Sequence, residues 1–193
     1  LRTVSFYIVS VGWFAIAMLV TTLHFWQVIV MTSQGVAAET AAQVFTISAV
    51  AMACAMPIVG RGFDRFRTRY VFATGLSITG LSLIAVTLTS DATSAALYAI
   101  LFGVNNAFSM TMFGYLWPRY FGRRHLGSIQ GTGQMIGVVG ASLGPFPVGW
   151  AIDAVGDATW TLRLLALLPI ASAIVAVAFL RAPANLTESQ HLE

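Results

Sequence analysis

Residues 60 to 70 read GRGFDRFRTRY, and Arg61, Asp64, Arg65, Arg67 and Arg69 give this stretch five of the seventeen charges in a chain of 193 residues. On both sides of it the sequence is apolar. Hydrophobic residues make up 58% and charged residues 9%, with a mean hydropathy of +0.81, whereas a soluble domain carries about 25% charged residues. This is the composition of a membrane chain. One bilayer crossing takes roughly 20 apolar residues, so the length accommodates about six spans with short connections and leaves no room for a soluble domain.

Apolar segments run over residues 6–31, 41–59, 70–88, 95–117, 126–152 and 161–180, with residues 181–193 as a tail. The sequence therefore predicts an all-α membrane protein with six transmembrane helices in a single domain. The connections alternate in charge: Arg2, then Glu39, then the 60–70 stretch, then Asp91, then Arg119, Arg123 and Arg124, then Asp153 and Asp157, then Arg181. Nine of the ten arginines thus fall on one side. Because basic residues concentrate in cytoplasmic loops, that side is read as cytoplasmic, with both termini on it, in a multi-pass protein of the inner (cytoplasmic) membrane. The first apolar run is about 26 residues long and has no small-residue cleavage pattern, which argues against a signal peptide. A net charge of +3 made entirely of scattered arginines gives no nucleic-acid surface. Cys54, the single cysteine, lies within an apolar run and is expected to be a small buried residue.

The 60–70 stretch is read as a tight turn between the second and third helices. Its arginines hold topology, but an acid adds nothing to topology, so Asp64 needs another role: capping a helix start or making charge-assisted bonds that a moving interface makes and breaks. Gly60, Asp64, Arg65 and Arg69 resemble the G-x-x-x-D-R-x-G-R-R loop of the major facilitator superfamily, with Gly62 at the usual Leu, Arg67 at the usual Gly and Thr68 at a usual basic position. Gly144, Pro145, Gly149 and Asp153 resemble the G-P-x-x-x-G-x-x-x-D ending of the eleventh helix in that family. Tyr120, Phe121, Gly122, Arg123, Arg124 and His125, with Gly127 and Gly131, resemble the loop leading into that helix, most of all in the oxalate, formate and monocarboxylate branch. The resemblance covers the whole chain, read as the C-terminal six of twelve helices. It implies a secondary transporter, half of a carrier, in which Gly60, Asp64, Arg65 and Arg69 belong to a cytoplasmic latch against the opposite half. The implied partners are the lipid bilayer, a small-molecule substrate, and either the N-terminal half or a second copy of this chain. The start at Leu1 and the ending Gln190-His191-Leu192-Glu193 favour a fragment over a natural six-helix protein that pairs with itself.

In the fifth segment Gly133, Gly137, Gly140 and Gly144 are spaced by four, three and four, which puts them in a stripe about 60° wide at 100° per residue. Such a face suits close helix packing or a sliding surface, and Pro145 and Pro147 should kink the helix beside it, a candidate pivot. Gly140 to Gly144 also fits the G-x-S-x-G pattern of a serine hydrolase around Ser142, but that elbow needs a strand-to-helix turn, and a helical glycine stripe does not provide one.

Polar side chains inside a bilayer are costly and face cavities or neighbouring helices. His24 and Gln27 on the first helix, Asn105 and Asn106 on the fourth, and Gln130 and Gln134 on the fifth are the substrate-cavity candidates. His24 is a candidate proton carrier. For Gln130 and Gln134, as for Gln43 and Thr46, hydrogen bonding between helices is the competing role. The carboxylate-carrying branch holds its substrate with an arginine, and in some members a lysine, but this chain has no lysine and its second helix no arginine within the apolar run. A small carboxylate and a neutral or amphipathic solute therefore both stand as substrate classes. There is no nucleotide-binding loop, so ATP is not the expected energy source; no cofactor or metal is implied.

Overall fold

A computed structural model describes residues 4–121 and 126–180. Among the described residues the architecture is all-helical, with six helical stretches long and apolar enough to cross a membrane. Four are continuous: α1 (Val4–Ser33), α2 (Ala38–Arg65), α3 (Thr68–Val86) and α4 (Ala92–Phe121). The fifth stretch is α5 (Leu126–Leu143) followed by α6 (Pro145–Val155), and the sixth is α7 (Thr159–Leu165) followed by α8 (Leu167–Phe179). Arg2, Gly122, Arg123, Arg124, His125, Arg181 and the tail lie outside the described residues.

Most of the helical stretches outrun the apolar segments, although α3 ends two residues short of its own. At 1.5 Å per residue the 30 residues of α1 and of α4 reach about 45 Å, half again the roughly 30 Å of a hydrocarbon core. The consequence is largest at the 60–70 stretch, which is not a loop. Arginine is a good helix former and the backbone ladder propagates at little cost once started, so α2 continues through Arg61, Asp64 and Arg65 and closes with the Phe66 amide on the Gly62 carbonyl at 2.9 Å. Only Phe66 and Arg67 separate it from α3.

Prolines mark both interruptions. Pro145 has no amide to bond to the Ala141 carbonyl, and the Gly144 amide takes that carbonyl instead at 3.3 Å. Pro169 likewise leaves the Leu165 carbonyl without its donor, and the sixth stretch breaks at Ala166. Gly156, at φ 74°, ends α6 in the left-handed conformation that glycine tolerates.

The core lies in two parts. Near the Arg-rich end, Trp13, Phe63, Phe72, Leu76, Met112, Leu116 and Trp117 pack together. Toward the opposite, acid-bearing end, Leu19, Leu23, Met31, Tyr98, Phe102, Val148 and Leu162 do so. Lipid tails are as apolar as these side chains, so close backbone approach rather than hydrophobic exclusion holds such helices together. Gly103 lets α4 onto α2: a Cβ there would sit 2.4 Å from the Ser48 carbonyl. Cys54 departs from expectation. It is exposed on α2, because most of that helix's apolar side chains, such as Val50, Met56 and Ile58, face outward from the bundle.

The turn before α4 is pinned by a reciprocal pair. The Ser94 amide donates to Asp91 Oδ1 at 2.7 Å, and the Asp91 amide donates to Ser94 Oγ at 3.0 Å. The bond from the Ser94 amide, then that from the Ser94 side chain, holds the Asp91 carboxyl below its ordinary 3.8. A depressed carboxyl stabilises above its unfolded pKa and loses that contribution as pH falls through the folded one. Acidification below pH 3.8 should therefore fray the first turn of α4, read as faster amide exchange at Ser94, and Asp91→Ala should show the same fast exchange at neutral pH.

Candidate functional site

The glycine stripe meets α1. A Cβ at Gly137 would come within 2.7 Å of the Trp13 indole, at Gly140 within 2.7 Å of the Phe14 carbonyl, and at Gly144 within 2.3 Å of the Met18 carbonyl. Gly133 lies under Trp117 of α4. A face without side chains also bares its own carbonyls, and α1 uses them: Trp13 Nε1 donates to Gly133 O at 3.0 Å, Thr22 Oγ1 to Gly144 O at 2.7 Å and Trp26 Nε1 to Pro145 O at 3.0 Å. The stripe and the break at Pro145 are thereby joined to α1 over most of the length of α5 and into α6.

On the other side of α1 a cavity of about 500 Å³ opens between α1, α2 and α4. Val20, Thr21 and His24 border it from α1, Phe45, Ser48, Ala49 and Met52 from α2, and Asn106 and Met110 from α4. His24 Nδ1 lies 2.8 Å from the Val20 carbonyl. A carbonyl only accepts, so Nδ1 carries the proton and Nε2 is the acceptor of the neutral ring. The His24 ring lies against Phe102, centroids 4.8 Å apart, and Phe102 stacks on Tyr98. Of the predicted polar residues, the cavity thus brings together His24 and Asn106.

Gln27 and Asn105 point elsewhere. Gln27 is buried and accepts the Tyr98 hydroxyl at 2.8 Å, and Asn105 is buried and accepts the Thr79 hydroxyl at 2.7 Å. Both bonds join helices rather than line a route. Since Asn105 and Asn106 are turned 100° from one another on a helix, one faces α3 and the other the cavity. Gln134, Gln43 and Thr46 are exposed on the surface of the bundle, and none of their side chains forms a hydrogen bond within the described residues.

A second groove, of about 640 Å³, lies at the Arg-rich end between α2, α4 and α5, bordered by Asp64, Gly114, Tyr115, Pro118, Arg119, Leu126 and Gln130. Here the Tyr115 hydroxyl donates to Asp64 Oδ1 at 2.5 Å, its ring stacks on Phe63 at 5.1 Å, and Arg119 donates to the Phe63 carbonyl at 2.8 Å. Sequence reading missed Tyr115 and gave Arg119 only a part in the charge pattern of the connections. They stand 51 and 56 residues from their partners, and an i, i+4 pair on an apolar helix carries no signal of its own. The other residues of the 60–70 motif do not converge on Asp64: Arg65 is exposed, Gly60 has open space around it, and Arg69 donates to the Tyr70 hydroxyl at 2.8 Å and lies over that ring.

Arg163 is tied at the other end, donating to Thr87 Oγ1 at 3.1 Å with Trp160 beside it. The hydrolase arrangement around Ser142 is not formed. Its hydroxyl donates to the Val138 carbonyl of its own helix at 2.9 Å, and no strand exists among the described residues to build an elbow. No cluster of metal-binding side chains occurs among the described residues.

The geometry separates structural from cavity positions. Thr79→Val and Asn105→Ala should each destabilise the bundle, and a double-mutant cycle in detergent should return a coupling of about 0.6 kcal/mol, the average for side-chain bonds between membrane helices. Gly140→Leu should cost about 1–3 kcal/mol by overpacking against the α1 backbone, with Gly131→Ala, in open space, unchanged in the same thermal unfolding measurement.

No curated protein matches the chain. A family model does: the Major Facilitator Superfamily, over residues 3–192. A bundle of six membrane-crossing helices, with a glycine-faced fifth stretch broken at Gly144-Pro145 and a cavity between α1, α2 and α4, is matched by that model over nearly its full length, and the chain belongs to the Major Facilitator Superfamily.

Proposed function

We propose that the chain is one six-helix half of a secondary transporter that moves a small solute across the cytoplasmic membrane by alternating access, and that the cavity between α1, α2 and α4 is this half's share of the route. The observation that carries the reading is the position of that cavity. Phe45 and Ala49 on its border are exposed on α2, and Asn106 stands halfway along the 30 residues of α4, which supports a site near the midplane of the bilayer. Substrate sites near the midplane, between two halves that rock against one another, are the working principle of such carriers.

The arginine bias supports an orientation with the Arg-rich end, the 60–70 stretch and both termini in the cytoplasm. In that orientation the groove around Asp64 faces the cytoplasm, and Asp64, Arg65, Gly60 and Arg69 take part in a latch that holds one state of the cycle. The glycine seam gives the rocking its form. Bending α5 at Gly144-Pro145 would break the bonds from Thr22 and Trp26, so α1, α5 and α6 move as one piece and the half turns as a body rather than pivoting at the proline. The outward apolar face of α2 is covered by the opposite half of the carrier, or by a second copy of this chain. The cavity border holds no fixed cation, so a small carboxylate needs its positive charge from another source, and a neutral solute needs none.

Reconstitution in liposomes with solute counterflow tests the reading. Asn106→Ala should lower uptake at least tenfold with the protein still folded, Asp64→Asn should slow cycling while leaving membrane insertion intact, and Ser142→Ala should leave transport unchanged. Absence of counterflow for every small carboxylate and neutral solute tried would refute the transporter assignment, and loss of a hydrolytic activity in Ser142→Ala would put an enzyme in its place.

A further inference from the structure

The cavity border contains two hydroxyls, an amide, two thioethers, apolar side chains and one imidazole. The imidazole of His24 is the one side chain among these whose chemistry lets it take up a proton and become a cation. No described residue packed around it is charged: Val20 and Thr21 on its own helix, Phe45, Ser48, Ala49 and Met52 on α2, and Phe102, Asn106 and Met110 on α4 are all neutral. The two acids of α2, Glu39 in its first turn and Asp64 in its last, do not border the cavity. The chain has no lysine, and none of the described arginines lines the cavity. The bond from Nδ1 to the Val20 carbonyl fixes where an added proton goes. It can bind only at Nε2.

We infer that His24 Nε2 is the proton-binding atom of this half, and that the imidazolium so formed is the cation that holds a small anionic solute in the cavity. This rests on the transport reading and gives it a substrate class. With His24 neutral the cavity is a polar, uncharged site, and an anion entering it would exchange its hydration for weak dipoles, at a cost that grows as the surroundings become less polar. With His24 protonated, the anion gains a charge-assisted partner, and the Asn106 amide and Thr21 hydroxyl border the same space as further donors. One proton and one monoanion then occupy the site together. The cavity carries no net charge when loaded and none when empty with His24 neutral, so neither form bears the electrostatic cost of a bare ion in the membrane.

The test uses the full-length gene product in detergent and four probe anions, formate, acetate, oxalate and benzoate, with erythritol as a neutral control. At least one of the anions should stabilise the protein at pH 5.5, with apparent affinity falling about tenfold per pH unit on the alkaline side of the transition, and erythritol should show no such dependence. His24→Gln should abolish the pH dependence, and His24→Arg, which fixes the charge, should bind the same anion at pH 8. In liposomes the wild type should take up one proton per monoanion without current, and His24→Arg should lose the proton coupling. No pH-dependent stabilisation by any of the four anions, or a pH dependence intact in His24→Gln, would overturn the inference. The two readings fail separately. Binding that follows His24 without any movement of labelled anion sinks the transporter and leaves the site, whereas a solute carried at a rate indifferent to pH and to His24→Gln leaves the transporter and sinks the site.

Discussion

Buried hydrogen-bond donors need acceptors, and inside a bilayer no water supplies them. In this bundle three such donors are satisfied at the seam between α1 and the fifth stretch. Trp13, Thr22 and Trp26 carry three donors to it, and the fifth stretch, bare of side chains along its glycine face, leaves the Gly133, Gly144 and Pro145 carbonyls open to receive them. The two features depend on each other. Without glycine the carbonyls would be shielded and the backbones held apart, and without the indoles and the hydroxyl the glycine face would be a groove with little in it.

From that seam the rest of the arrangement follows. With α1 fixed to α5 and α6 on one side, its opposite side is left to meet α2 and α4, which are themselves drawn together by Gly103 and, at the Arg-rich end, by the contacts of Tyr115 and Arg119 with Phe63 and Asp64. Both cavities lie where these two tightly joined pairs face one another: the first between α1 and the α2–α4 pair, the second between that pair and the start of α5. Tight joints within the pairs leave the looser boundary between them as the place where a solute, or an element of the opposite half, finds room.

The polar residues divide along the same boundary. Gln27 and Asn105 are spent on Tyr98 and Thr79, bonds that fix how α4 sits against α1 and α3, while His24 and Asn106 keep atoms for the cavity. Neighbouring residues with the same chemistry thus have different tasks, as Asn105 and Asn106 do, because one helical step of 100° separates a packed face from an open one.

Hydropathy determined by itself the six helical stretches among the described residues that are long and apolar enough to cross a membrane, because a span's length is set by bilayer thickness and needs no neighbour to be read. The glycine spacing marked a close-packed face, and Pro145 marked the break, both being properties of a single backbone. What lay across that face, which of Asn105 and Asn106 met the cavity, and that Tyr115 would hold Asp64 were decided only by tertiary structure. Those facts depend on the rotation of each helix about its own axis, which is fixed by partners 26 to 122 residues away. The extension of α2 through its arginines was hidden for a related reason: hydropathy reports where lipid ends, whereas the helix ends where its hydrogen-bond ladder stops, at Phe66.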